Sequence, residues 1–121
     1  MNSDSTKKKG DFGEQLAVDF LEKKGFKIIE RQYRYGKGEI DLIAWHGNTL
    51  VFVEVKTRLN LFYGLPEEGI TKGKILQIRK TADAYLYEKD IKNTECRFDI
   101  VGILKTGEDE FRITHLENAF E

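Results

Sequence analysis

Two acids and a lysine define the chemistry open to this chain: Asp41, then Glu54 thirteen positions later, then Lys56 after one intervening residue. Carboxylates suit hard divalent cations such as Mg²⁺, which take oxygen ligands and keep waters for chemistry. To share an ion the two acids must be held side by side, and their surroundings predict how. The runs 40–45 and 49–55 are rich in β-branched and aromatic residues and flank His46-Gly47-Asn48. Gly-Asn is a recognised two-residue hairpin loop. With that loop His46 faces Thr49, and counting outward sets Ile43 against Phe52, Asp41 against Glu54 and Glu39 against Lys56. The last six share one face, because strand side chains alternate. Opposed acids with Cβ atoms roughly 5 Å apart repel each other, and a divalent cation between them would offset the repulsion. A register slip of one residue would move Asp41 to the other face.

The elements around this hairpin follow from periodicity. Helical spacing predicts a helix from about Lys8 to Lys24, stopped by Gly25, after a polar start in which residues 1–7 are expected to be disordered. Phe12, Leu16, Ala17, Val18, Phe20 and Leu21 form its apolar arc, and Glu14 falls inside that arc. An acid on the buried side of a helix is either a further ligand to the ion or is satisfied locally, and the nearby acid pair favours the first. Residues 26–35 alternate as a strand, Gly36-Lys37-Gly38 turns, and the hairpin follows. Residues 59–70, with Gly64 and Pro66, make a loop long enough to suggest a role beyond connection, in which Phe62 and Tyr63 pack down. A second helix spans residues 71–89, and strands follow at 95–105 and 110–116, with Arg97 and Asp99 paired for structural reasons. The order helix, three strands, helix, two strands is that of an α/β or α+β fold, a mixed central sheet flanked by helices in one domain over residues 1–121.

Composition narrows the partners. At 121 residues the chain suits one domain, and 34% charged with 40% hydrophobic residues suits a soluble globule with a packed core. No apolar run approaches the roughly 18 residues of a membrane span and no signal peptide is legible, so no membrane partner is expected. A lone cysteine favours the cytoplasm, and one Cys with two His makes a structural zinc site improbable. The net charge of −1 argues against indiscriminate nucleic-acid binding, but its distribution is uneven. Between Lys23 and Lys37 six bases face one acid, interleaved with Phe26, Tyr33 and Tyr35, a pattern suited to a phosphate backbone and equally to a solvated surface. Candidate nucleic-acid contacts are Lys24, Lys27, Arg31, Arg34 and Lys37 in this segment, Arg58 after the acids, and Lys72, Lys74 and Arg79 on the second helix. The cations at that helix start oppose the macrodipole, which suggests an anion such as phosphate there.

Asp41 in GEIDLIA, Glu54 and Lys56 in VFVEVKTR, and Glu14 in GEQLAVDFL resemble the PD-(D/E)xK nuclease superfamily, whose restriction endonuclease-like core has the order αβββαβ. The similarity is closest to the YraN-like uncharacterised protein family, over residues 10–120 and including Arg97-Phe98-Asp99, with archaeal Holliday-junction resolvases a more distant likeness. The resemblance implies that Asp41 and Glu54 bind Mg²⁺ or Mn²⁺, that Val55 contributes its carbonyl, and that Lys56 serves the attacking water. It also implies a DNA substrate, with branched recombination or repair intermediates among the candidates, and a homodimer by analogy with resolvases. Two positions depart from the superfamily: Ile40 stands where it has proline before the acid, and Gln77 is followed by Thr81 where some relatives have tyrosine.

The first expectation is therefore a metal-dependent endonuclease with Glu14, Asp41, Glu54 and Lys56 as its site. A divalent ion there would lower the pKa of water and neutralise charge on the phosphate. Beside two carboxylates the charged form of a lysine is favoured, which assigns Lys56 to water positioning and charge stabilisation rather than proton abstraction. The alternative is a non-catalytic nucleic-acid-binding or protein-interaction module, in which Trp45, Tyr33, Tyr35 and the basic segment matter more than the acids. A buried ion network and assembly through an exposed sheet edge are weaker possibilities.

Overall fold

The computed structural model describes residues 2–62 and 64–120, with side chains from residue 12 onward. Seven elements occur in the expected order: α1 (Asn2–Lys23), β1 (Lys27–Tyr35), β2 (Gly38–His46), β3 (Thr49–Arg58), α2 (Lys72–Glu88), β4 (Cys96–Lys105) and β5 (Phe111–Phe120). The helix α1 starts at Asn2, earlier than the polar start of the chain suggested, and β5 runs on to Phe120, past the expected Leu116. Gly38 opens β2 rather than belonging to the turn. Met1 and Tyr63 lie outside the described residues. Phe62 does not pack down as expected, since it is 81% exposed.

The ends of the helices follow from local chemistry. Gly25 adopts φ +90, and the Phe26 N–H reaches back to the Leu21 carbonyl at 3.0 Å, closing α1 with a left-handed cap that glycine enters without a Cβ penalty. Thr71 caps α2, its hydroxyl accepting the Lys74 N–H at 3.1 Å and satisfying a donor the helix cannot.

The strands form one sheet in the order β1-β2-β3-β4-β5, antiparallel throughout except between β3 and β4. That parallel pair needs a crossover, and α2 supplies it. On one face α1 buries Ala17, Val18 and Leu21 against Leu42, Ala44, Val51, Val53, Val101 and Ile103. On the other, Ile78, Ala82 and Tyr85 of α2 pack on Ile40, Ile43, Leu50 and Phe52. The result is a mixed α+β fold, a five-stranded sheet between two helices. Among the described residues no helix is long and apolar enough to cross a membrane.

One close approach fixes α1. A Cβ on Gly13 would fall 2.1 Å from Thr57 Oγ1, so α1 can lie this near β3 only because residue 13 lacks one. Glycine inside a helix costs roughly 1 kcal/mol relative to alanine. Here it brings the next residue, Glu14, down onto the sheet.

Candidate active site

The hairpin register is the expected one near the turn. His46 pairs with Thr49, Ile43 with Phe52, and the ladder continues to Leu42 with Val53. There it ends, so the further ladder pairs expected, Asp41 with Glu54 and Glu39 with Lys56, do not form. The Val55 N–H donates instead to Oδ2 of Asp41 at 2.7 Å. β2 also changes phase at this point. Ile40 and Ile43 both pack on the α2 face, which strict alternation forbids, and Asp41 sits at the step between them. Its partner strand is irregular at the matching place: Tyr33 pairs with Ile40 and Arg31 with Leu42, while Gln32 between them holds φ +52. Breaks of this kind re-aim side chains and concentrate near active sites.

This irregularity settles the position of Glu14. Both its oxygens are occupied, one by Arg31 Nε and the other by Gln32 Nε2, each at 2.8 Å. Adjacent residues of a regular strand point to opposite faces, so both reach Glu14 only because Gln32 leaves β geometry. Glu14 is buried and near enough to Asp41 to act on its charge, but its carboxylate is satisfied from β1. Among the described residues no group of three or more His, Cys, Asp or Glu side chains gathers as a metal-binding cluster.

Asp41 and Glu54 differ in kind from Glu14. Burial raises the Asp41 carboxyl to about 6, opposed by the Val55 N–H and by Lys74 and assisted by Glu39 and Glu14. Burial also raises Glu54, to about 7, with the charge of Asp41 adding to it and those of Lys74 and Lys56 opposing it. The two titrate as a pair that resists holding two negative charges. The cation at ion-pair distance from Glu54 is Lys74 of α2, Nζ to Oε1 3.8 Å; Lys56 acts from farther off. Of the lysines at the start of α2, Lys74 thus has an anion of the protein itself beside it, the Glu54 carboxylate. The placement of Lys74 beside an acid was not legible, although cations set against the helix dipole were its one sequence signal.

The donor set bears on the metal ion. Two oxygen-donor groups, disfavoured as anions by burial and by each other, fit a hard divalent cation that fills its remaining positions with water. Asp41 and Glu54 meet that description. Glu14 does so only by releasing Arg31 and Gln32.

The basic residues differ in what holds them. Lys24 Nζ lies 2.6 Å from His115 Nδ1 and 3.8 Å from Glu117, and Arg34 pairs loosely with Glu39 at 3.7 Å. Lys27 is exposed at the start of β1, and Lys37 at the β1–β2 turn marks its other end. Lys72 and Arg79 are exposed on α2. Arg58 is different: among the described residues its Nε is the buried side-chain polar atom without a hydrogen-bond partner.

Arg97 and Asp99 pair as expected, Nε to Oδ1 3.0 Å. Asp99 is fully buried. Burial works to raise its pKa, but hydrogen bonds from His115, Arg97 and the Asn118 N–H outweigh it and hold the carboxyl low. Arg97 also reaches His46 Nδ1 at 3.1 Å, and His46 stacks on Phe26 at 4.1 Å. Both histidines of the chain are thus committed to this network, which ties β4 to β5 and the hairpin turn.

Fold and site together define a small α+β protein with a half-buried carboxylate pair, flanked by lysines, where two central strands part. Residues 13–103 match the model of a family described as Uncharacterised protein family UPF0102, and the chain belongs to that family. A UPF0102 protein of Cytophaga hutchinsonii is 52% identical over 101 residues, covering 84% of this chain and 87% of its own length. Counterparts in Persephonella marina, 43% identical over 113 residues and 93% of each chain, and in Dictyoglomus turgidum, 42% identical over 117 residues, 96% of this chain and 99% of its own, match almost end to end.

Proposed function

We propose that the protein is a metal-dependent nuclease of the PD-(D/E)xK type, hydrolysing phosphodiester bonds of DNA with Mg²⁺ or Mn²⁺. The observation that carries this reading is the Asp41–Glu54 pair, two half-buried acids on parting strands whose ionisation is opposed by desolvation and by each other. Retaining such a pair without a cation is unfavourable. A bound divalent ion would supply an activated water and neutralise charge on the phosphate.

The chain's own groups do the rest. Asp41 and Glu54 would hold the ion, with the Val55 carbonyl as a further oxygen, and the Val55 N–H fixes the Asp41 carboxylate. Lys56 positions water and stabilises developing negative charge. Lys74 pairs with Glu54 and offsets its charge. A phosphate oxygen would satisfy Arg58 Nε, since a buried donor without an acceptor costs about 1–3 kcal/mol.

A second reading, a nuclease-like fold that grips nucleic acid without cutting, is favoured by the engagement of Glu14 with Arg31 and Gln32, which leaves two acids rather than three at the parting of the strands. Incubation with branched and linear DNA, with and without Mn²⁺, separates the two. Cleavage that needs Mn²⁺ and disappears in Asp41→Ala and Glu54→Ala while binding persists supports the nuclease. Tight binding that survives both changes, with no cutting by the unaltered protein, supports the binding module.

A further inference from the structure

A cavity of about 530 Å³ lies where the β1–β2 turn meets the first half of α2. That volume is within the range of small-molecule sites, about 300–1,000 Å³. Its walls are held firmly. Gly38 sits against the helix so closely that a Cβ would fall 2.0 Å from Thr81 Oγ1, and Gln77 Nε2 donates to the Lys37 carbonyl at 3.1 Å.

The lining selects a ligand class. Lys37 and Lys80 are its charged residues, and no acid joins them. Tyr35 and Leu76, 59% and 57% exposed, supply the apolar surface. Two cations in a lining without acids suit an anion, and an exposed ring beside a leucine suits a flat apolar body. One chemical unit combines both, a nucleotide whose base has left the stack.

Location ties the cavity to the acids. Gly38 precedes Asp41 by three residues, about 10 Å along an extended strand. Gly73, also in the wall, adjoins Lys74, whose Nζ is 3.8 Å from Glu54. Beyond Tyr35 and Lys80 a second cavity brings in Asp83 and Glu88, so the stretch that attracts phosphate ends there.

We infer that this cavity binds an unpaired nucleotide flanking the scissile phosphate, with its base stacked on Tyr35 and its phosphate held by Lys37 and Lys80. The inference rests on the nuclease reading and names its substrate class: DNA with a single-stranded stretch beside the cut, such as a fork or flap, rather than blunt duplex. Stacking on an aromatic side chain is sequence-tolerant, so structure rather than base sequence sets the preference.

The test is equilibrium binding of labelled forked DNA and of blunt duplex of equal length, by fluorescence anisotropy in Ca²⁺, with circular dichroism confirming that each variant folds. Unaltered protein should bind the fork more tightly. Tyr35→Ala should weaken fork binding roughly tenfold, the lower part of the range for base stacking, with blunt-duplex binding little changed, and Tyr35→Phe should restore it. Lys80→Glu should weaken fork binding as well. Equal loss on both DNAs, or no loss in Tyr35→Ala, overturns the inference, as does Tyr35-dependent binding of free AMP without any fork preference. The two proposals can fail separately. Asp41-dependent cleavage with Tyr35→Ala matching the unaltered protein leaves the nuclease and removes the pocket. Tyr35-dependent fork binding without cleavage leaves the pocket and removes the nuclease.

Discussion

At Asp41 and Glu54 the folded protein holds protons to higher pH than an unfolded chain does. Free carboxylates titrate near 4, whereas burial and mutual repulsion raise this pair to about 6 and about 7. Between those values the folded state binds more protons, so raising the pH favours unfolding. The contribution of the pair is complete below about pH 4 and lost as the pH climbs through 6 to 7. Thermal unfolding in EDTA, followed by circular dichroism, should therefore show a midpoint that falls from pH 5 to pH 8. On the proposed metal site, excess Mn²⁺ should flatten the fall, because a ligand that binds only the folded state stabilises it. A midpoint indifferent to pH across this window would contradict the description of the pair. For the same reason Glu54→Gln should raise the midpoint in EDTA at pH 8 by a few degrees while abolishing cleavage. A lower midpoint would show that the Lys74 ion pair outweighs the repulsion.

Among the elements, the contact of α1 with β3 at Gly13 sets the position of Glu14, and its tolerance is small. Gly13→Ala should destabilise by about 1–3 kcal/mol, measured by urea denaturation, because the new methyl meets Thr57 Oγ1. Gly13→Ala combined with Thr57→Ala should recover part of the loss, a coupling expected only of residues in contact. What the sequence revealed at this scale was local. Gly47-Asn48 specified the hairpin register as far as Leu42 with Val53 because turn geometry is a two-residue property, and Gly25 marked the end of α1 by its own local geometry. The phase change at Asp41 was not legible, because it belongs with the left-handed Gln32 on the neighbouring strand, and Gln32 bonds to an acid on α1. Three elements close that arrangement, and no window of sequence contains all three. The same limit hid Lys74, which meets Glu54 only after the crossover brings α2 over β3.

For the molecule as a whole, a net charge of −1 leaves DNA affinity to local placement of bases. Lys24, Arg31 and Arg34 are drawn into ion pairs with Glu117, Glu14 and Glu39, whereas Lys37 and Lys80 line an acid-free cavity and Arg58 keeps an unsatisfied donor. Arg58→Ala should weaken binding to every DNA alike and reduce the dependence of log Kd on log salt by about one. A change confined to one sequence would mean that Arg58 reads bases instead. The central claim, that Asp41 and Glu54 hold a divalent cation between them, is tested most directly by titrating the protein with Mn²⁺ and following the free ion by electron paramagnetic resonance. The unaltered protein should take up Mn²⁺ at a site that is lost in Asp41→Asn. Uptake by Asp41→Asn equal to that of the unaltered protein, or no uptake by either, would contradict the account.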